Sequence, residues 1–436
     1  MIVLNEGQTL AVNKMVKFFH DPNQKFFLLT GKGGVGKSTC IQTAVRQMMS
    51  ESAKELKVCM TAPTNKATKV IREMAAEAGL NVESKTLYAL LGLVLDNNDE
   101  IRYAKKMKDG SLEDFDLVIV DEVSVVQKAL MAHLDSAVAN SKTSVIMMGD
   151  KAQLPPVKES VSSVFDADMP KMELTQIMRQ AEGNPILELA QSIRDCQADP
   201  RLTPIYQTSV NSLTGEGIYT MGAEEWIGYV KENFNSDEAR SVPNAFRCLA
   251  YTNKRVNSLN KMIRHMVIGE TETPFIIGER VLTRKPIEDS CSFDRLHTDS
   301  EAEVIDIVEC SHPLFESTSN QFKVWAMTLK GDDMTIVECF LLHQDSKRDY
   351  NTHLNTLGKM AREGSRPWKN FWDFKGAFAD LQSVYAMTVH RSQGSTYNNV
   401  FVDMRDVYRN PKRLERLQLE YVAVSRASET LVILEK

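Results

Sequence analysis

No two of the seven cysteines stand at a C-x-x-C spacing; Cys40, Cys59, Cys196, Cys248, Cys291, Cys310 and Cys339 are scattered through 436 residues. This excludes a thiolate metal clip or a vicinal redox pair and fits a reducing compartment. Long apolar runs are missing too, and nothing approaches the roughly 20 residues that a membrane-crossing helix needs. The stretch from Met1 to Val12 has neither a basic start nor a sustained apolar core, so the expected location is the cytoplasm. Positive charge is not in excess: 52 Lys and Arg against 58 Asp and Glu leave a net charge of −6. A protein that binds nucleic acid through bulk charge is thereby excluded, and any such site must be a local groove. Repeats and low-complexity tracts are absent as well, which removes solenoids.

What is present is a chain long enough for two or three cores. Its first half alternates short apolar runs with amphipathic stretches. Lys25 to Thr30, Leu56 to Thr61, Asp116 to Val120 and Ser144 to Met148 read as buried parallel strands. Thr64 to Gly79 and Gln127 to Ala139 read as helices with one apolar face, which is the pattern of a doubly wound α/β domain. A second α/β signal follows in Phe246 to Ala250, Asn253 to Met266, Ser383 to Thr388, Asn398 to Met404 and Thr430 to Leu434. Between Val281 and about Phe340 the period drops to two, predicting a small antiparallel barrel inserted into the second domain. Turn residues at Asp96 to Asp99 and Lys108 to Ser111, around Ile101 to Met107, predict a protruding β-hairpin in the first.

Gly31-Lys32-Gly33-Gly34-Val35-Gly36-Lys37-Ser38 matches G-x-x-x-x-G-K-[ST] between a predicted strand and a predicted helix, the setting of a phosphate-binding loop. Gly31, Gly33, Gly34, Val35 and Gly36 would turn backbone N–H groups toward phosphates. Lys37 would supply a point charge, Ser38 would hold Mg²⁺, and Thr39 beside it would belong to the nucleotide site. Asp121 and Glu122 follow the apolar run Leu117 to Val120, so two carboxylates emerge at the C-terminal end of a strand, where open α/β sheets bind ligands. Asp121 is expected to share the metal with Ser38, and Glu122 to orient and deprotonate water. The early Lys32 also resembles the deviant loop of partitioning ATPases, but the motifs that follow do not belong to that family, and Lys32 is read as an ordinary loop residue.

Those motifs come in a fixed order. Gln8 in LNEGQ is followed by the phosphate loop, Ala62-Pro63-Thr64-Asn65-Lys66-Ala67, Asp121-Glu122-Val123-Ser124, Gly149 to Val157, Leu174 to Gln180, Thr388 to Thr396 and Tyr421 to Ala427. The set resembles superfamily 1B DNA helicases of the RecD-like group over nearly the whole chain, with a layout similar to phage members. For a phage-encoded chain, the cytoplasm would be the host's. The resemblance implies an α/β fold of two RecA-like parallel-sheet domains. Domain 1A would cover residues 1–180, with a hairpin subdomain 1B at about 87–112. Domain 2A would cover 181–283 and 378–436, and an inserted SH3-like barrel with its hook, 2B, would cover 284–377.

It further implies ATP and Mg²⁺ as cofactors, with Gln8 reading adenine, Gln153 on the γ-phosphate, Gly394 in the nucleotide site, and Arg179 and Arg426 as arginine fingers. Pro63, Thr64, Asn65, Lys66, Thr86, Thr252, Asn253, Thr388 and His390 would line a channel for single-stranded DNA. Tyr88 stands where the group often has histidine, and either stacks on a base or packs in its own apolar run. The aromatic segment Pro367 to Phe374 resembles the hook and reads as packing. Tyr103, the aromatic residue of the predicted hairpin, is either the wedge that splits a duplex or a packing residue.

The expected activity is ATP-driven movement on single strands, 5′ to 3′ by resemblance, with separation of forked duplex DNA. The expected partners are DNA and a single-strand-binding or replication protein, and the expected state is a monomer. Alternatives are a translocase that displaces bound proteins, an RNA-directed motor, a partitioning-type nucleotide switch, and a non-enzymatic strand binder; a fork substrate in DNA and RNA versions separates the first two, and stimulation of ATPase by single-stranded DNA separates the last two.

Overall fold

The computed structural model describes residues 3–95, 101–103, 111–156, 159–176, 184–212, 214–242, 244–288, 295–312 and 322–435. Helix α1 (Glu6–Phe19) opens with a reciprocal cap in which Asn5 accepts from the Gln8 N–H and Gln8 accepts from the Asn5 N–H. Then follow β1 (Phe26–Gly31), α2 (Lys37–Glu51), β2 (Val58–Ala62), α3 (Asn65–Glu77), β3 (Glu83–Thr86), the one-turn α4 (Leu87–Leu90), the short strands β4 (Leu93–Leu95) and β5 (Ile101–Tyr103), β6 (Leu117–Val120), α5 (Lys128–Ala139), β7 (Ser144–Gly149) and β8 (Lys171–Leu174).

Six of these strands form one parallel sheet in the order β3-β2-β6-β7-β1-β8. The registers place Val58 against Leu117, Leu117 against Ser144, and Phe26 against Val145. Helices cover both faces, so β6 and β7 are buried at every position, which is why they read as unbroken apolar runs. β4 and β5 pair antiparallel beside this sheet, Leu93 opposite Tyr103.

The second sheet uses α6 (Pro185–Ala198), β9 (Ser209–Val210), β10 (Gly217–Met221), α7 (Ala223–Phe234), α8 (Asp237–Ser241), β11 (Phe246–Ala250) and α9 (Asn253–Val267). The chain then builds a separate compact unit, Asn257–Ala386. This contains β12 (Arg280–Thr283), the pair β13 (Ile287–Glu288) and β14 (Arg295–Leu296), β15 (Glu301–Ser311), β16 (Lys323–Gly331), β17 (Ile336–Leu342), α10 (Lys347–Arg362), α11 (Trp368–Gly376) and β18 (Leu381–Ser383). Its five-stranded antiparallel sheet runs β17-β16-β15-β12-β18, with a bulge between Val304 and Asp306. Inward residues such as Val304, Met327, Leu329 and Val337 form its core, and alternation with outward residues produces the period of two. Phe322, Phe374 and Phe378 make a second cluster, with Tyr350 stacked on Phe374 at 5.2 Å. The aromatic segment therefore packs through Phe374, although Trp368 is 44% exposed.

The chain returns through β19 (Ala386–Thr388), β20 (Tyr397–Asp403), α12 (Met404–Val407), α13 (Arg413–Val424) and β21 (Ala427–Leu434), completing a sheet ordered β19-β11-β20-β21-β10-β9. Ser383 to Thr388 is not the single strand that its pattern predicts: β18 pairs with β12 and β19 with β11. The Asn260 side chain explains the break, because it donates to the Ala386 carbonyl at 2.9 Å and accepts from the Ala386 N–H at 2.8 Å, doing for both groups what a ladder would do. Both six-stranded sheets lie in one compact unit, Met1–Val256 with Met387–Lys436.

Candidate active site and strand path

β1 ends at Gly31, α2 begins at Lys37, and the intervening loop has Gly34 and Gly36 in the left-handed region at φ 78° and 82°. Lys37 is turned back onto its own loop, donating to the Gly31 carbonyl at 2.6 Å and the Lys32 carbonyl at 3.0 Å. Burial pulls its pKa below the usual lysine value, while Asp150 and Asp121 pull it back up. An ammonium held only by carbonyls is ready to exchange them for phosphate oxygens. Gln8 is 1% exposed, and besides its helix cap it donates to the Val35 carbonyl at 3.0 Å, tying α1 to the loop. A cavity of about 290 Å³ opens beside it, bordered by Asn5, Gly7, Gln8, Leu174, Thr175 and Gln176.

Asp121 and Glu122 leave the end of β6, and the Glu122 N–H donates to Asp121 Oδ1 at 2.7 Å. Glu122 has φ 52°, a conformation costing a non-glycine residue roughly 1–2 kcal/mol. Burial raises the pKa of Asp121. For Glu122 burial and then the neighbouring Asp121 push the carboxyl up to about 7, against the pull of Arg426, Lys66 and Lys37. Two adjacent, partly buried carboxylates at the end of a strand, with the Ser38 hydroxyl in the first turn of α2, make an oxygen donor set that fits a hard divalent cation.

The second sheet closes over these groups. Gly394 has φ 73°, and a Cβ there would lie 3.1 Å from Glu122 Oε2 and 3.3 Å from Ala67 Cβ, so the backbone turn fits against the carboxylate only because the side chain is absent. Arg426 is buried, donating to the Val422 carbonyl at 3.1 Å, the Ser395 carbonyl at 3.0 Å and Ser425 Oγ at 3.0 Å. Burial lowers its pKa and Glu122 raises it, which places its charge within electrostatic reach of the carboxylate. Gln153 sits partly buried in the turn after β7, its N–H on the Asp150 carbonyl at 3.1 Å. Arg179 lies outside the described residues.

Two contributors have no role in the motif reading. Arg194 of α6 pairs with buried Asp150, and Tyr421 of α13 donates to Asp150 Oδ2 at 2.5 Å while its oxygen lies 3.5 Å from the Gly33 nitrogen. This joins the turn after β7 and the phosphate loop to helices of the second sheet. Arg194 belongs to no motif; Tyr421 heads the last one, but nothing in its spacing names a partner. Lys32 reaches Gln191 of α6 at 2.6 Å, so it too spans the two sheets.

The expected strand contacts share a geometry. Thr64, Thr86, Thr252 and Thr388 each accept the N–H three residues ahead, from Ala67 at 3.2 Å, Ala89 at 3.1 Å, Arg255 at 3.2 Å and Arg391 at 3.4 Å. All four cap a helical turn that follows β2, β3, β11 or β19, and these are the neighbouring strands at one edge of each sheet. The nucleotide residues come instead from the interior strands β1, β6 and β7. Thr252 also gives its hydroxyl to buried Asp406 at 3.0 Å. Pro63 and Asn65 are partly buried beside Thr64, while Asn253 and His390 are exposed, with His390 6.1 Å from the Tyr251 ring. Lys66 points elsewhere, donating to the Tyr397 hydroxyl at 3.0 Å.

Tyr88 packs partly buried against the core of the first sheet, and that burial raises its pKa. Tyr103 is 70% exposed, its hydroxyl 3.2 Å from His133 Nδ1 and its ring edge-on to the histidine at 5.4 Å. The rest of the predicted hairpin, residues 96–100 and 104–110, lies outside the described residues.

Residues 3–209 match the AAA domain family, and residues 383–434 the UvrD-like helicase C-terminal domain. The chain is 24% identical to the ATP-dependent DNA helicase dda of Enterobacteria phage T4, over 97% of each protein. It is 34% identical to the ATP-dependent RecD2 DNA helicase of Deinococcus radiodurans, over 44% of this chain and 24% of that one. A solved structure of Pif1 helicase from Bacteroides in complex with ADP-AlF3 and ssDNA aligns over 99% of this chain and 92% of its own, with a TM-score of 0.51 at 17% identity. That likeness establishes the fold of two RecA-like α/β domains.

Proposed function

We propose that this chain, a superfamily 1B helicase of the Dda and RecD-like group, is an ATP-dependent DNA helicase that moves 5′ to 3′ on single-stranded DNA and separates a forked duplex. The observation that carries the reading is the meeting of Glu122 with Gly394, because a hydrolytic carboxylate from one sheet pressed against the other links turnover to the spacing of two strand-binding surfaces.

The nucleotide's base would lie in the cavity beside Gln8 and its phosphates on the loop from Gly31 to Lys37, where Lys37 exchanges its carbonyl partners for phosphate oxygens. Ser38 and Asp121 would hold Mg²⁺, which supplies charge neutralisation at the phosphates. Glu122 takes the proton of the attacking water, and its raised pKa suits a base working near neutrality. Arg426 would leave its carbonyl partners to face the charge that develops on the transferring group, with Arg179 and Gln153 as further contacts. The strand would run along the capped turns at Thr64, Thr86, Thr252 and Thr388, with Pro63, Asn65, Asn253, His390 and Tyr88 beside them; their hydroxyls and helix N-termini suit phosphates without reading sequence.

We read the β4–β5 pair as the base of the strand-separating hairpin, with Tyr103 as its contact residue, and the five-stranded sheet as the inserted barrel. A monomer meeting a single-strand-binding or replication protein completes the proposal. The test is ATPase with and without single-stranded DNA, followed by unwinding of forks with a 5′ or a 3′ tail. Turnover that DNA leaves unchanged would sink the reading, and a 3′-tail preference would reverse the polarity.

A further inference from the structure

Lys66 stands in the segment expected to bind DNA, yet its ammonium is directed into the joint between the two sheets. It lies 3.0 Å from the Tyr397 hydroxyl and 5.5 Å from the centre of that ring. Tyr397 is 1% exposed, and the Arg247 guanidinium lies 4.8 Å from the same ring centre. The phenol is thus approached by two cations, one from each sheet, and it passes its own proton toward Met387 Sδ at 3.3 Å.

Two links tie this contact to the chemistry. The Tyr397 N–H donates to the Arg426 carbonyl at 2.8 Å, so the start of β20 and the buried arginine move together. Ala67, next to Lys66, and the Glu122 carboxylate both pack on Gly394, three residues before Tyr397. We propose that Lys66 and Tyr397 form a positioning pair that sets the second sheet, with Gly394 and Arg426, against Glu122, and that Lys66 is not a strand contact. Burial of the tyrosine on one side and the charge of Lys66 on the other make the contact sensitive to small displacements. The favourable influence of Lys66 on the Glu122 carboxylate agrees with this placement. The inference rests on the helicase reading for what the cleft does, but not for where the pair lies.

The experiment uses the full chain as Lys66→Met, Lys66→Arg, Tyr397→Phe and the Lys66→Met/Tyr397→Phe double variant. Steady-state ATPase is measured with saturating oligothymidylate and without it, together with oligothymidylate affinity across a salt series. Both single neutral variants should lose kcat by about ten- to a hundredfold, as expected when reacting groups are misplaced by a fraction of an ångström. KM for ATP, oligothymidylate affinity and thermal midpoint should stay near wild type. The double variant should be no worse than Lys66→Met, because the two losses are one interaction. Lys66→Arg, which keeps a donor and the charge, should recover most of the rate.

A Tyr397→Phe protein with wild-type kcat, beside a Lys66→Met protein whose strand affinity falls and whose salt slope is shallower by about 0.7, would overturn the proposal and return Lys66 to the strand path. Additive losses would also overturn it. If wild-type ATPase ignores DNA, the helicase reading fails separately, and the same coupling is then read on the unstimulated kcat.

Discussion

Glu122 is strained in its backbone, partly buried, and pressed against a glycine of the other sheet, three conditions that would be costly without a task for the carboxylate. Glu122→Gln keeps its shape and removes the base, so turnover should fall by about 10²- to 10⁴-fold while nucleotide affinity is retained. Lys37→Ala should weaken nucleotide binding as well, since its ammonium is the charge held ready at the loop. Equilibrium binding of a fluorescent nucleotide beside steady-state ATPase separates the two cases, and near-normal turnover in the glutamine variant would remove Glu122 from the step. Arg426→Lys should lower kcat more than nucleotide affinity, because a point-like ammonium lacks the planar fork whose three separate nitrogens reach the Val422 and Ser395 carbonyls and Ser425 Oγ. An unchanged kcat would show that the step needs only a positive charge at this position and not the planar fork of Arg426.

At the scale of the element, the four threonine caps make helix stability and strand binding two readings of the same hydroxyl. Thr86→Ala should destabilise the protein by about 1 kcal/mol and weaken single-strand binding, whereas Thr86→Ser should restore both. Loss of stability with unaltered binding would assign Thr86 to capping alone. The β4–β5 pair is tested through Tyr103, which is largely exposed and meets His133 through its hydroxyl and an edge-on ring contact. Tyr103→Ala should keep its melting temperature and its DNA-stimulated ATPase while unwinding of forks drops, since a stacking partner for the terminal base pair is worth roughly 1–3 kcal/mol. Wild-type unwinding would put strand separation elsewhere, and a fall in every activity together would mark a packing residue.

Over the whole molecule, a net charge of −6 and a path built from hydroxyls, amides and helix ends predict weak dependence of strand binding on salt. At about 0.7 per neutralised phosphate, the log–log slope for oligothymidylate should have a magnitude on the order of 1 to 3. A slope beyond about 5 in magnitude would require a basic groove that the threonine path does not supply.

Local order along the chain is enough to specify the phosphate loop, the Asp121-Glu122 pair and the buried strands, because each depends on neighbours in sequence: glycine backbone freedom, a lysine at the first position of the following helix, an apolar run that stays apolar when both faces are covered. It also separates the α/β halves from the period-two insert. Contacts between residues far apart in sequence are a different matter. Local pattern cannot show that Lys66 meets Tyr397, that Arg194 and Tyr421 meet on Asp150, or that Asn260 divides one predicted strand into two. Each depends on which strands the sheets set side by side, and that order comes from packing two sheets and their helices together rather than from any window of the chain.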